Sequence, residues 1–153
     1  MNSFDNIPQE MKELPQWVAR VDKIPINPNS LYGAKSTDKT SWGTFEQAKA
    51  AIGKKAKMKA VQGKECNGIG FVLSAPYCGI DIDHCFNPET DEWSKEALDI
   101  IKNMNSYTEV SPSGTGVHIF YKNDGNTHTE WNKKKPIDSI QHLEMYQTDR
   151  YFT

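Results

Sequence analysis

Apolar residues along this chain follow two spacings, one typical of strands and the other typical of helices. Short apolar runs bounded by turn residues predict strands at 17–21, 68–73, 78–83, 116–121, 142–146 and 150–152, with an extended segment at 23–29. Because a turn at 74–77 joins two of these strands, 68–73 and 78–83 are predicted to pair as a β-hairpin.

Helical spacing predicts helices at 7–14, at 44–52 and at about 90–104. Thr44 and Gln47 form a capping-box pattern at the start of the second helix. Apolar residues that recur at helical spacing in the third helix are predicted to face the core. They are Trp93, Ala97, Leu98, Ile101 and Met104.

The composition is typical of a soluble globular chain with one domain. Its 153 residues are 37% hydrophobic and 25% charged, and no apolar run approaches the roughly 20 residues that a membrane span needs. Residues 1–5 lack the basic and apolar regions of a signal peptide, so a cytoplasmic location without membrane contact is expected. The chain ends on Tyr151-Phe152-Thr153 within a predicted strand, and we expect the domain over 1–153 to be cut short at its C-terminus.

The cysteines Cys66, Cys78 and Cys85 show no Cys-x-x-Cys spacing. An odd number of thiols without that spacing argues against a disulfide framework and agrees with a reducing compartment. A zinc site built around Cys78, His84 and Cys85 is the less favoured alternative, because structural zinc sites have paired ligands. Buried thiols are the preferred interpretation.

Positive charge is concentrated in two segments, although the net charge of the chain is −2. The first cluster consists of Lys54, Lys55, Lys57, Lys59 and Lys64, and the second consists of Lys133, Lys134 and Lys135. Such clusters either contact a phosphate backbone or form an ordinary solvated surface, and the sequence leaves both interpretations open.

Asp81 and Asp83 stand two residues apart in the predicted strand at 78–83. Side chains at i and i+2 of a strand project from the same face, so the two carboxylates are predicted to lie close together and to repel each other. A hard divalent cation such as Mg²⁺ or Mn²⁺ is the natural partner of such a pair. A polar edge-strand face, or a pair that caps the following turn, is the alternative.

A segment rich in glycine and hydroxyl groups, Ser111-Pro112-Ser113-Gly114-Thr115-Gly116, leads into the strand that carries His118. Glycines allow backbone N–H groups to approach an anion, and His118 stands where it can donate a hydrogen bond to a phosphate oxygen. A glycine-rich hairpin turn with a satisfied histidine is the alternative interpretation.

Glu144 interrupts an otherwise apolar strand, between Leu143 and Met145. If Glu144 shares a face with Asp81 and Asp83, it completes a site with three carboxylates for metal ions. A glutamate in a strand is otherwise an ordinary surface residue, and this interpretation stays open for Glu144 taken alone.

Three segments, in this order, resemble the catalytic signature of the archaeo-eukaryotic primase superfamily: 79–85, 111–120, and 143–146 with 150–153. The chain is most similar to the primase-polymerase domain of phage and plasmid replication proteins, which carries an Asp-hydrophobic-Asp pair, a Ser-x-His-like strand and a late acidic residue. Segments 14–18, 23–25 and 40–45 extend the resemblance over nearly the whole chain. Such domains usually continue beyond the position that matches Thr153.

The resemblance implies an α+β fold, in which a mixed or antiparallel sheet with flanking helices contains an RRM-like catalytic core. It makes Asp81, Asp83 and Glu144 catalytic ligands of a two-metal site for Mg²⁺ or Mn²⁺. It makes His118 a catalytic contact to the nucleotide phosphates. The further nucleotide-binding residues that it implies are Ser111, Ser113, Thr115 and Arg150.

The implied activity is that of a DNA primase and DNA polymerase from a mobile element. Its partners would be nucleoside triphosphates, a single-stranded DNA template and a helicase domain on the full-length protein. Trp42, Tyr107 or Trp131 could stack on template bases, although packing in the core or on the surface is the preferred interpretation for each.

Other functions stay open at this point. A metal-dependent nuclease or phosphoesterase also uses Asp, Glu and His around metal ions, and a non-catalytic nucleotide-binding or origin-binding module would keep the residues without the chemistry. A rolling-circle endonuclease is less favoured, because Ile119 and Phe120 follow His118 where a second histidine would be expected.

Overall fold

The computed structural model describes residues 4–125, the backbone of residues 133–134, and residues 143–153. The chain divides into two compact units, the first formed by Met1–Val72 with Arg150–Thr153 and the second by Leu73–Asp149. Each unit has its own sheet, and the strand pairs in both sheets are antiparallel. These antiparallel sheets with few helices confirm the predicted α+β class.

The described helices are α1 (Gln9–Lys12), α2 (Phe45–Ala51) and α3 (Lys95–Met104), with short 3-10 turns at Phe4–Asn6, Lys39–Ser41 and Lys59–Val61. The described strands are β1 (Trp17–Val21), β2 (Ile24–Ile26), β3 (Gly68–Val72), β4 (Tyr77–Ile82), β5 (Phe86–Asn87), β6 (Glu92–Trp93), β7 (Thr108–Val110), β8 (Val117–Lys122), β9 (Lys133–Lys134), β10 (Leu143–Tyr146) and β11 (Tyr151–Phe152).

The sheet of the first unit has the strand order β11-β3-β1-β2. Helix α2 begins at the predicted capping box, in which the Thr44 side chain accepts from the Gln47 N–H and the Gln47 side chain accepts from the Thr44 N–H. Trp42 is buried, and its indole N–H donates to the Lys35 carbonyl at 2.7 Å. Packing in the core, the preferred interpretation of Trp42, is therefore confirmed.

The sheet of the second unit has the strand order β7-β8-β4-β10-β9, and a two-stranded ribbon of β5 and β6 accompanies it. Its core consists of buried residues from β4, β8, β10 and α3: Ile80, Ile82, Val117, Ile119, Leu143 and Ala97, together with Cys85. Ile100, Ile101 and Met104 of α3 pack against this cluster. Helix α3 therefore covers one face of the central strands.

The predicted β-hairpin of 68–73 and 78–83 is wrong. β3 pairs with β1 and β11, whereas β4 pairs with β8 and β10, so the two segments belong to different sheets. Both strands are buried nearly throughout, and each takes its partners from distant parts of the chain. Local turn signals identify a change of direction but do not determine which strands pair.

The predicted helix at about 90–104 begins later than expected. Glu92 and Trp93 form β6 instead, because they pair with Asn87 and Phe86. The Ser94 side chain then caps α3 by accepting from the Ala97 N–H at 3.2 Å. Leu98, which was predicted to lie in the core, is 48% exposed, whereas Ala97 is buried as predicted.

All three cysteines are buried free thiols, as expected, and burial raises the pKa of Cys66, Cys78 and Cys85 above its ordinary value. Within the part of the chain that the structure describes, no helix is long and apolar enough to cross a membrane. The five lysines of the first basic cluster are exposed. The side chains of the second cluster, and Trp131, lie outside the described residues.

Candidate active site

One row of polar residues crosses the second sheet from strand to strand. In the register of the sheet, Asp81 of β4 lies opposite Glu144 of β10 on one side and opposite His118 of β8 on the other. His118 in turn lies opposite Glu109 of β7. Residues that are directly opposite project from the same face, with Cβ atoms about 4.5–5.5 Å apart. We call Glu109, His118, Asp81 and Glu144 the site row.

The site row projects from the face of the sheet opposite to helix α3. Ile80 and Ile82 flank Asp81 along β4 and are buried in the core that α3 covers. Because successive side chains of a strand alternate between faces, Asp81 points away from that core. Val117 and Ile119 place His118 on the same face by the same alternation. The sheet thus brings together Asp81, His118 and Glu144, which come from three separate segments of the sequence.

His118 lies between two carboxylates and is only 6% exposed. Its Nε2 atom is 3.7 Å from Asp81 Oδ1, and its Nδ1 atom is 3.4 Å from Glu109 Oε1. Both distances exceed those of short, strong hydrogen bonds. The buried ring therefore lies between Glu109 and Asp81, with room for either contact to tighten.

Glu144 is oriented by a tyrosine on its own strand. The Tyr146 hydroxyl donates a hydrogen bond to Glu144 Oε2. Tyr146 follows Glu144 by two residues, so the two side chains share one face of β10. This bond fixes the position of one of the two carboxylate oxygens of Glu144.

Asp83 lies just beyond the end of β4, in the turn that follows Ile82. The strand is thus one residue shorter at this end than predicted. The next residues tie this turn to the glycine-rich loop, because the N–H groups of Cys85 and Phe86 both donate to the Thr115 carbonyl, at 2.8 and 3.0 Å. The turn that carries Asp83 and the loop that precedes His118 are therefore joined by backbone hydrogen bonds.

The hydroxyl groups predicted to bind nucleotide form a chain within this loop. Ser111 Oγ is 2.9 Å from Ser113 Oγ, which is 3.1 Å from Thr115 Oγ1. The Gly114 N–H donates to the Ser111 carbonyl at 2.9 Å, and Gly114 has a φ of 75°, which favours glycine. The loop thus presents adjacent hydroxyls from a tight turn.

Gly116 allows this loop to approach the end of β4. A Cβ atom at this position would lie 2.7 Å from the Ile82 carbonyl oxygen, 3.0 Å from Ser111 Oγ and 3.3 Å from Asp83 Cα. The first of these distances is too short for any side chain to fit without movement of the backbone. Glycine is therefore favoured here, because its backbone packs closely against the end of β4 and against Ser111.

Sequence reasoning missed Glu109, Tyr107 and Tyr146 as members of this site. The Tyr107 hydroxyl donates to Glu109 Oε2 at 3.0 Å, while Glu109 Oε1 faces His118. Burial, and then the charge of Glu109, raises the pKa of Tyr107. Glu109 could be identified only from its position opposite His118 on the neighbouring strand. That position is known only once the register of the sheet is known.

Two further predicted residues have different outcomes. The Tyr107 ring packs against Phe120 with ring centroids 5.5 Å apart, which agrees with the preferred interpretation of packing. Arg150 belongs to the first unit, where it is exposed and directly precedes β11. Its role at the phosphates stays a prediction.

The donor set of the site suits a hard cation. Asp81 and Glu144 are cross-strand neighbours, and Asp83 follows directly after β4, so the available donors are carboxylate oxygens of the kind that Mg²⁺ and Mn²⁺ prefer. Among residues 4–125 and 143–153, no three His, Cys, Asp or Glu side chains are already grouped as a metal cluster. A cation would therefore have to draw the carboxylates closer together.

Comparisons with known proteins give one sequence similarity. No protein-family model matches the chain. The chain is 35% identical over 144 residues to the "DNA Primase-polymerase" of Nitratiruptor phage NrS-1. The chain is thus similar to one part of a phage protein with that name. The match covers 90% of this chain but 18% of that protein, so the chain spans less than a fifth of the relative's length.

Proposed function

We propose that this chain carries the catalytic site of a phage-type DNA primase-polymerase. The observation that carries the proposal is the site row, in which Asp81, His118 and Glu144 stand on adjacent strands in one register. The similarity to the NrS-1 enzyme supports it independently, because it comes from sequence identity rather than from geometry. The RRM-like character expected from the resemblance belongs to the same proposal, and the second sheet is its counterpart in this chain.

The proposed reaction is nucleotidyl transfer. A 3′-hydroxyl on a primer end or on an initiating nucleotide attacks the α-phosphorus of a nucleoside triphosphate and gives up its proton to solvent. The bond from the α-phosphorus to the bridging oxygen breaks, and pyrophosphate leaves with the electron pair. Single-stranded DNA is the proposed template, and a helicase domain on the full-length protein is a further proposed partner.

Asp81, Asp83 and Glu144 are the proposed ligands of Mg²⁺ or Mn²⁺. When bound in pairs, such ions stabilise both the attacking and the leaving oxygen of an in-line displacement. Asp81 and Glu144 contribute neighbouring carboxylates from two strands. The Tyr146 hydroxyl keeps Glu144 on this face by occupying one of its oxygens.

His118 and the loop before it are the proposed contacts to the triphosphate. His118 is buried between two carboxylates, so little side-chain freedom is lost when it binds a phosphate oxygen. The hydroxyls of Ser111, Ser113 and Thr115 are already adjacent. Fixed donors of this kind provide positioning, which accounts for much of the catalysis of phosphoryl transfer.

The proposal is tested by primer extension with the Asp81→Asn variant. Wild-type chain should extend a labelled primer-template when Mn²⁺ and nucleoside triphosphates are both present. Asp81→Asn should reduce the rate by about a hundredfold or more, because an amide is a weaker ligand than a carboxylate for the divalent cation that would stabilise the charge of the transition state. Asp99→Asn, the same substitution on the exposed surface of α3, is the matched control and should retain wild-type activity.

The same assay separates the proposal from its alternatives. A nuclease or phosphoesterase would shorten the primer with Mn²⁺ alone, and nucleotide would not be needed. A nucleotide-binding module would bind triphosphate in calorimetry without extending the primer. Extension that proceeds equally well in Asp81→Asn would remove this residue from the chemistry.

A further inference from the structure

Glu109 belongs to the site row, but the proposed reaction assigns no role to it. It stands on β7, beside His118 and on the side away from Asp81. Its two carboxylate oxygens have different partners: Oε1 faces His118 Nδ1 at 3.4 Å, and Oε2 accepts from the Tyr107 hydroxyl at 3.0 Å. The carboxylate therefore connects His118 to Tyr107, which does not belong to the site row.

Tyr107 is a firm anchor for this carboxylate. Its ring packs against Phe120, whose N–H donates to the Tyr107 carbonyl at 2.9 Å. Burial, and then the charge of Glu109, raises the pKa of Tyr107, so its hydroxyl keeps the proton that it donates. A donor on a packed ring fixes the position of one oxygen of Glu109 and, through it, the position of the other.

The direction of the His118 ring depends on what its two nitrogens meet. Nε2 lies on the side of Asp81, and Nδ1 lies on the side of Glu109. A carboxylate that accepts from one ring nitrogen fixes the plane of the imidazole and the direction in which the other nitrogen points. Without an acceptor at Nδ1, one of the contacts that set the direction of the ring is lost.

We propose that Glu109, anchored by Tyr107, is a positioning residue that accepts a hydrogen bond from His118 Nδ1–H and so directs Nε2 toward the nucleotide. This inference rests on the proposed function only for the identity of the ligand that meets Nε2. The orientation of the ring is a property of the chain itself.

The test compares Glu109→Ala with Glu109→Gln, which keeps an oxygen that can accept from Nδ1–H. Primer extension should show a kcat/KM for the nucleoside triphosphate that is about tenfold lower in Glu109→Ala, at the lower end of losses seen for partners that orient functional histidines. Glu109→Gln should recover most of this loss, and Tyr107→Phe should show a smaller loss in the same direction. Glu96→Ala removes an exposed glutamate of α3 and is the matched control.

A second measurement reports the hydrogen bond at His118 Nδ1 directly and does not depend on catalytic activity. In ¹⁵N-edited NMR spectra, the His118 Nδ1–H proton should exchange slowly in wild type and in Glu109→Gln, and it should be lost in Glu109→Ala. If no variant incorporates or binds nucleotide but this pattern holds, the proposed function fails while the positioning role stands.

Two results would overturn the inference. One is a protected Nδ1–H signal in Glu109→Ala. The other is an equal loss of kcat/KM in Glu109→Ala and Glu109→Gln, together with an equal fall in the thermal midpoint of both variants. This result would mean that Glu109 stabilises the fold and does not position His118. If Glu109→Ala folds poorly, Tyr107→Phe is the second variant, because it removes only one hydroxyl. A wild-type kcat/KM and an unchanged NMR signal in Tyr107→Phe would contradict the proposal that Tyr107 fixes the position of Glu109.

Discussion

Adjacent residues on the central strands of the second sheet face opposite environments. Ile80 and Ile82 of β4 are buried in the core that α3 covers, while Asp81 between them faces the other way, beside His118 and Glu144. β8 repeats this alternation with Val117, His118 and Ile119. One strand register therefore specifies both the core and the site. If the pairing of a strand shifted by one residue, the residues that face the core and those that face the site would change places.

The largest expected effect is a loss of stability when a side chain on the face that packs against the core is shortened. Ile119 is 0% exposed, so Ile119→Ala should lower the free energy of unfolding by about 2–5 kcal/mol through lost burial and the cavity that remains. Denaturant unfolding measures this change. Nucleotide binding by the molecules that stay folded should be unchanged.

The neighbouring substitution, His118→Ala, should give the opposite pattern. It removes a proposed phosphate contact, so calorimetry with a nucleoside triphosphate and Mn²⁺ should show binding weakened by about tenfold. The loss of stability should be smaller than for Ile119→Ala. Equal losses of stability and unchanged nucleotide binding in both variants would mean that the two faces do not differ in role.

A smaller effect is expected where the loop meets the end of β4. In Gly116→Ala, the added Cβ would lie 2.7 Å from the Ile82 carbonyl, and the overpacking should cost about 1–3 kcal/mol of stability. The loop would also move away from Asp83, so nucleotide binding should weaken together with stability.

Gly114→Ala is the matched comparison. No atom lies within 4 Å of a Cβ at Gly114, but its φ is 75°. Its cost of about 1–2 kcal/mol should come from the backbone conformation alone. Denaturant unfolding gives both values, and a Gly116→Ala variant with wild-type stability and affinity would contradict the close packing of the loop.

The smallest expected effect is confined to alkaline pH. It tests the burial of Tyr121, which packs against the same core as Ile119. Burial raises the pKa of Tyr121 to about 12, from about 10 in an unfolded chain. Between these values the unfolded chain releases the phenolic proton and the folded chain keeps it, so stability is lost as pH rises through this window.

Tyr121→Phe should therefore reduce the slope of stability against pH between about 10 and 12. Thermal unfolding across this pH range makes the comparison, and identical slopes for wild type and Tyr121→Phe would contradict the burial of this phenol.

Features that depend on nearby residues could be predicted from the sequence. β1 begins and ends where predicted, and the capping box at Thr44 starts α2 as expected. Asp81, His118 and Glu144 could be singled out because polar residues within apolar strands are unusual. In each of these cases the signal lies within a few residues of the feature.

Features that depend on strand pairing could not be predicted in this way. β3 and β4 were expected to pair with each other, although each pairs with distant strands. Helix α3 begins late because Glu92 and Trp93 pair with β5. Glu109 was missed for the same reason, since its position beside His118 follows from the pairing of β7 with β8.

We propose that Asp81 and Glu144, on neighbouring strands, bind the same cation. The most direct test is a double-mutant cycle in Mn²⁺ affinity, measured by electron paramagnetic resonance on wild type, Asp81→Asn, Glu144→Gln and the double variant. The account predicts that each single variant weakens binding by about tenfold or more, and that the double variant is little weaker than either single one, because the two carboxylates act together. Wild-type affinity in either single variant, or two losses that simply add, would contradict it.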